Sequence, residues 1–252
     1  MRRLSPLVAV LLLAGCASGP GGGAPGGRGR ERPPLPPAAQ PTSVIATELA
    51  FARAAREEGQ WLAYSRFAAP GAQVQWDGAS GSAERWLAGR ANPPVADRWV
   101  PRQAWSSCDG SAVVIVGTST DQAGNWSRFT RVWERQQSGD FRWAYTLSLP
   151  DAELTRARQD SDRERAEDEA RGDAILVEAG NFIRAKVADC TPAPTPSATD
   201  ATDAGGTGVS KDRTLRWDWA PSNAGPGRFA AFSWNGTGWD AVHSEPVAAA
   251  GE

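Results

Sequence analysis

Hydrophobic spacing changes along the chain, and each change predicts an element. The run VIATELAFARAAREEG repeats apolar residues at helical spacing through Ile45, Leu49 and Ala52. Ser43 stands as an N-cap, Glu48 and Arg53 are placed outward, and Gly59 is the stop. A second short helix, QWLAYSRFAA, ends at Pro70; AQVQWDG then alternates as a strand and closes in an Asp77-Gly78 turn. GSAERWLAGRA predicts one more short helix with Trp86 and Leu87 as its buried side. Beyond Pro93 and Pro94 the period falls to two in four runs: RWVPRQAWSS, SAVVIVGTST, NWSRFTRVWERQ and DFRWAYTLSL. Asp109-Gly110, DQAG and QSGD separate them as tight turns, so the four form an antiparallel meander. In the third run alternation puts Arg128, Thr130, Val132 and Glu134 on one face, and Phe129, Arg131, Trp133 and Arg135 on the other.

After the meander, residues 150–173 are nearly all charge, with Leu154 the one large apolar residue, and predict a solvated helical connector. Arg163 with Glu167 and Arg165 with Glu169 fall at i, i+4 on such a helix, each pair contributing only ~0.2–0.5 kcal/mol. Strand writing returns in AILVEAGNFIRAKVADC, breaks over a Pro, Thr, Ser and Gly-rich stretch at 191–208 expected to be disordered, and resumes in RTLRWDWAP, GRFAAFSW and GWDAVHSEPV. Residues 174–247 therefore read as a small β unit whose last hairpin turns at Asn235-Gly236.

The N-terminus has a different logic. MRRLSPLVAVLLLAGC sets two arginines before an apolar run too short to span a bilayer as a helix, which is the pattern of an export signal. Its last four residues, Leu13-Ala14-Gly15-Cys16, resemble a bacterial lipobox. That resemblance implies that residues 1–16 end at an acylated Cys16, and that Ala17 directs the chain to the outer membrane, on its periplasmic face. Acyl chains bury methylenes at ~0.8 kcal/mol each, so a lipid anchor becomes the expected membrane partner. Residues 17–43 begin in Gly, Pro and Arg with almost no large apolar side chain and predict a disordered tether. No strand precedes these glycines and no Gly-Lys-Ser or Gly-Lys-Thr follows, so they are no phosphate loop.

The order of elements carries a further resemblance. The helix pair ELAFARAAREEGQWLAYSRFAAPGAQV, a strand ending in WDG, and a meander bearing RFTRVWERQ and FRWAY resemble the SnoaL-like proteins of the nuclear transport factor 2-like superfamily. The resemblance spans residues 44–149. It implies an α+β fold in which a curved antiparallel sheet wraps N-terminal helices as a cystatin-like cone, here followed by the β-rich unit. The superfamily hosts isomerases, dehydratases, cyclases and binding modules, so fold and function separate. Steroid-isomerase-like cones move a proton with a pocket carboxylate while a tyrosine or protonated aspartate steadies the enolate. Many cones also pair through the outer sheet face, which makes a homodimer an expected assembly.

Charge and composition exclude several classes. Lys and Arg number 27 against 29 Asp and Glu, scattered rather than gathered into a basic stripe, so nucleic acid is no expected partner. One histidine, His243, and the absence of any CxxC leave neither a zinc site nor a nucleophile triad, and no cofactor motif is present. His243 itself is expected on an exposed strand face. With Cys16 assigned to lipid, Cys108 and Cys190 remain in an oxidising compartment, as one bridge or as two buried thiols. A bridge closing about 80 residues would restrict the unfolded chain by ~4 kcal/mol. The carboxylates and phenols open to catalytic work are Asp77, Asp97, Asp109, Glu134, Tyr64 and Tyr145. Each also has a structural role to fill: Asp77 and Asp109 suit turns before glycine, and Glu134 suits a surface charge pair. The 12 tryptophans fill a curved sheet or line a site for an apolar or sugar-like small molecule. If a pocket exists, Trp61, Trp76, Trp86, Trp105 and Trp126, with Tyr145, are where helices and sheet converge in this family. The expected function is binding or scaffolding by an exported, membrane-anchored module, and the contrasting one is an isomerase or dehydratase using a pocket carboxylate.

Overall fold

Runs that alternate, and one run that does not, set the architecture. In the computed structural model, which describes residues 40–76, 79–171, 182–195, 205–221 and 227–247, Ala112–Thr120 (β4) opens AVVIV without a polar break. An uninterrupted apolar strand needs cover on both sides. Here Val113 and Ile115 face helices, while Val114 faces a second sheet.

The helices come first. Pro41–Glu58 (α1) and Gln60–Phe67 (α2) are joined at Gly59, whose φ of 117° belongs to the region that favours glycine. Proline at the first turn starts α1, and Gln40 precedes it without a side-chain cap. Ser43, expected as the cap, lies inside the helix and donates its hydroxyl to the Gln40 carbonyl. Ala68–Trp76 (β1), Ala79–Ser82 (β2) and the single turn Ala83–Leu87 (α3) follow. The last is shorter than its pattern predicts, and Trp86 and Leu87 are only half-buried.

The meander runs through Arg98–Ser106 (β3), β4, Trp126–Arg135 (β5) and Phe141–Pro150 (β6), each pair antiparallel. The complete sheet is mixed, in the order β2-β1-β6-β5-β4-β3-β7, because β1 runs parallel to β6 and Arg184–Val187 (β7) runs parallel to β3. Register shifts interrupt β1/β6, β3/β4 and β5/β6; such irregularities bend strands and increase their twist, as a curved sheet requires. Residues 184–187 therefore complete this seven-stranded sheet rather than the C-terminal unit expected to contain them.

Between β6 and β7 stands Ala152–Arg171 (α4), with no buried residue. Its first turn is fastened by Thr155, whose hydroxyl oxygen accepts the Trp126 backbone N–H at 2.8 Å. Its closest ion pairs are i, i+3, joining Arg163 to Asp160, Arg165 to Asp162 and Arg171 to Asp168, and Arg171 also reaches Glu167 at 4.0 Å. An aspartate one turn earlier thus takes Arg163 and Arg165 in place of the expected Glu167 and Glu169.

The second sheet comprises Gly206–Val209 (β8), Leu215–Ala220 (β9), Gly227–Trp234 (β10) and Trp239–Val247 (β11), antiparallel throughout. β8 falls within the stretch expected to be disordered. Its glycines are required by close approach: a Cβ on Gly208 would stand 2.2 Å from the Trp217 ring, and one on Gly206 2.1 Å from Trp219. This sheet covers the Val132, Tyr145 and Leu147 face of β5 and β6 with Leu215, Trp217 and Phe229.

Two turns of matching build join the sheets. Ser107 donates its hydroxyl to Asp109 Oδ1 at 2.7 Å, as Ser210 does to Asp212 Oδ1 at 2.6 Å. Gly110 and Arg213 occupy the same left-handed position, with φ of 66° and 64°. The turns then clasp each other: the Cys108 N–H donates to Thr214 Oγ1 at 2.8 Å, and the Lys211 N–H to Ser111 Oγ at 2.9 Å. Beside them a Cys108–Cys190 disulfide, with Cα atoms 5.2 Å apart, ties the β3–β4 turn to the segment after β7.

Candidate functional site

The space between helices and sheet is occupied by an ion pair. α1 presents Val44, Glu48, Phe51, Ala52 and Ala55 to the sheet, and Glu48 is completely buried on that stripe rather than outward. Leu49, expected inside, is 51 % exposed. From β5, Arg131 enters between Phe129 and Trp133 and is 1 % exposed. Its Nη1 donates to Glu48 Oε1, and its Nη2 donates to the Tyr64 hydroxyl at 3.0 Å. Glu48 also accepts the Trp99 indole N–H at 2.8 Å and the Trp133 indole N–H at 2.6 Å. Aromatic rings pack against the guanidinium, with centroids from 4.7 Å (Phe51) to 5.5 Å (Trp99) away.

This arrangement limits its own chemistry. A general base must reach its substrate proton, yet Glu48 lies behind three donors and has no exposed surface. Burial, partly offset by Arg131, pushes the Tyr64 phenol well above its ordinary range, and burial does the same at Tyr145; both stay neutral. A void of about 10 Å³ at the centre is lined by Tyr64, Trp76, Asp97, Trp99, Ser119, Phe129 and Arg131. That is about one water. The Arg131 Nε has no hydrogen-bond partner among the described residues.

Trp76, Asp97 and Ser119 also line an open groove of about 700 Å³ at that end of the sheet. Trp61 on α2 and Trp126 on β5 form its walls, Arg90 and Arg156 bring positive charge, and Asp121 and Asp151 negative. Asp97 is held by Gln60, whose amide donates to Asp97 Oδ2 at 2.9 Å and accepts the Asp97 backbone N–H at 2.8 Å.

The aromatic and acidic residues singled out from the sequence fall in three places. Trp61, Tyr64, Trp76 and Trp86 come together, with ring centroids 5.0–6.4 Å apart, and Trp126 stands across the groove. Trp105 and Tyr145 lie on the opposite face of the sheet, under the four-stranded one; Tyr145 donates its hydroxyl to Gln75 Oε1 at 2.7 Å. Glu134 shares that face, half-buried, where burial raises its pKa against the pull of Lys211 instead of a surface charge pair setting its state. Asp109 serves its turn. Asp77 and Cys16 lie outside the described residues.

His243, expected to be exposed, is half-buried between the sheets: its ring stacks 5.8 Å from Trp105, and its Nε2 lies 2.9 Å from Thr130 Oγ1. Burial, helped by Arg128, pushes its pKa down to about 4. Among the described residues no group of histidines, cysteines and carboxylates is placed to hold a metal ion. Nor is any described helix long and apolar enough to cross a membrane.

No protein-family model matches the chain, and no curated protein matches it. Among solved structures it is similar to nuclear transport factor 2 from Cryptosporidium parvum, at 11% identity and a TM-score of 0.36, over 47% of this chain and 98% of that one. The class the structure defines is a mixed α+β protein with a curved sheet, few helices and a β-rich C-terminal unit.

Proposed function

We propose that this chain is an envelope lipoprotein whose cone, of the nuclear transport factor 2-like kind, serves as a binding or scaffolding module and turns over no substrate. One observation carries the reading: the interior where a cone enzyme needs a substrate cavity holds the Glu48–Arg131 pair and its aromatic shell, with a void of about 10 Å³ beside them. A carboxylate that accepts three hydrogen bonds there orders the core, because an unpaired buried charge costs several kcal/mol. The isomerase or dehydratase alternative would need a carboxylate and a phenol brought together around a substrate-sized cavity, whereas Asp97 and Tyr64 share a void of about 10 Å³. Tyr64 donates into no such cavity, and Tyr145 is engaged with Gln75 on the other face.

The full chain, expressed in a bacterial host and purified in detergent, tests both halves. Mass spectrometry should find a lipid-sized increment on Cys16 that Cys16→Ser removes, with release from the membrane fraction. Incubated with small molecules extracted from the envelope, the protein should retain a species whose mass and chemical identity are unchanged. Time-dependent appearance of an isomerised or dehydrated product, absent from a boiled control, would restore the enzyme reading.

A further inference from the structure

We propose that the open edge of β7 takes up an extended acidic segment of a partner protein as a further strand of the cone's sheet. This rests on the binding-module reading and names the partner's chemistry. Among the described residues the two sheets end in the edge strands β2, β7, β8 and β11. β2 and β8 are short and written in Ala, Ser, Gly, Thr and Val without a charge, and β11 is blunted by Pro246, which has no N–H to pair. β7 alone joins an exposed backbone to side chains of a single sign: Arg184, Ala185 and Lys186 are all exposed.

The ladder fixes which groups face outward. The Ala188 N–H donates to the Ser106 carbonyl at 2.9 Å, so the strand's period of two turns the N–H and C=O of Lys186 and Arg184 toward β3 as well. Those of Ala185 and Val187 turn the other way, where no described strand pairs with them. Asp189, of the same parity, shows that this side takes a backbone partner: its N–H donates to the Trp234 carbonyl at 2.9 Å. That bond and the Cys108–Cys190 bridge hold the end of β7, so the edge is set before anything docks.

Side chains choose the occupant. Lys186 pairs with Trp105 and Arg184 with Gln103, which sets both cations on one face, whereas Ala185 and Val187 take the face of Ala104. Among the described residues neither cation is in an ion pair. Phe182, 82 % exposed, lies two residues before Arg184 and adds apolar surface at the end of the edge. A second copy of β7 would set arginine and lysine against their like, which is destabilising, so these charges guard the edge against its own kind. A strand with carboxylates at alternate positions meets both cations, and its main chain pairs with Ala185 and Val187. Paired antiparallel, such a segment reads acidic, small, acidic, small, apolar, with the last residue against Phe182.

The test titrates a fluorescently labelled peptide, Thr-Glu-Thr-Glu-Thr-Leu-Thr, with the full chain in zwitterionic detergent and follows anisotropy. It should bind saturably at or below about 100 μM. N-methylation of its threonines removes the donors that face β7 and keeps every charge; it should weaken binding by about tenfold or more. A peptide with lysine in place of glutamate should not bind. Arg184→Glu combined with Lys186→Glu should reverse that preference with the unfolding midpoint retained, since both side chains are exposed. Should that variant fail to fold, the methylated peptide still decides. Absence of binding, or binding indifferent to methylation or to the sign of the peptide's charge, overturns the proposal. Binding of short-chain phosphatidylglycerol but not of the peptide overturns it in favour of a lipid surface. Each of these results leaves retention of an unchanged small molecule, and with it the binding-module reading, standing. Cleavage of the peptide by the full chain, absent from a boiled control, would instead overturn the binding-module reading.

Discussion

Replacing Glu48 by glutamine exchanges one oxygen for an NH2 group and tests the role of the buried ion pair. The amide keeps one acceptor oxygen. If that oxygen stays where Oε1 accepts from Arg131 and Trp99, the new NH2 group faces the Trp133 N–H that Oε2 now accepts. One orphaned indole donor costs ~1–3 kcal/mol, and losing a charge-assisted bond costs a similar amount. The remaining term is the guanidinium, left without its counterion where it is 1 % exposed. Breaking one side of a buried pair costs about 3–5 kcal/mol in all. With a urea dependence of ~2 kcal/mol per molar, that range lowers the unfolding midpoint by about 2 M. Tryptophan fluorescence is the readout, since Trp99 and Trp133 contact the altered group. Adding Arg131→Met to Glu48→Gln removes the stranded charge and should recover at least half of the loss, because a paired charge and an apolar isostere are often near parity. A midpoint for Glu48→Gln within about 0.5 M of wild type, or a double variant less stable than the single, would refute the reasoning.

Three further outcomes follow. His243 has a folded pKa of about 4, below its ordinary 6.5, so the stability it contributes is full above pH 6.5 and lost as pH falls towards 4, on the order of 3 kcal/mol. Glu245, raised by burial against Arg128, acts in the opposite sense, and Asp151, Thr130, Trp105 and Phe229 complete the surroundings. His243→Gln should therefore flatten acid unfolding between pH 6.5 and 4 in urea titrations; an unchanged slope would exclude His243 as its source. Reducing the Cys108–Cys190 bridge, which closes 82 residues of sequence, should cost about 4.5 kcal/mol, seen as a lower thermal midpoint with reductant. An unchanged midpoint counts against any constraint from this link. Because the outer face of the seven-stranded sheet is covered by the four-stranded one, the full chain in detergent should sediment as a monomer; a dimer would require another interface.

Where sequence and structure agree, the reason is local. β3 to β6 are written in alternation and separated by Asp-Gly and Gly-containing turns, so strand and hairpin follow from neighbours in the chain. Alternation even assigns Arg131 to the face of Phe129 and Trp133, which is the helix side. Glu48 departs from its expected outward position, the ordinary one for a carboxylate on a helix. Yet Val44, Glu48, Phe51, Ala52 and Ala55 lie at i, i+4, i+7, i+8 and i+11, the stripe of a buried face. Its partner stands 83 residues away, and no local pattern pairs them. β7 joins the other sheet for the same reason: its neighbour β3 is distant, and four residues carry too little pattern to choose a sheet. The division of Trp61 and Trp76 from Trp105 and Tyr145 depends on which face of which strand each occupies, a matter of register across the sheet.

The joint between the sheets has a consequence for biogenesis. Chains are made from the N-terminus, and β3 to β6 can pair as soon as residue 150 has emerged. The face bearing Val114, Val132, Tyr145 and Leu147 then waits for Leu215, Trp217 and Phe229. Until residues 206–247 arrive, a nascent chain presents an uncovered apolar sheet to its surroundings, the state in which half-made proteins aggregate. A chain truncated after α4 should accordingly depend on a holding chaperone that the complete chain outgrows, and a translational pause shortly before residue 206 would be harmful rather than helpful.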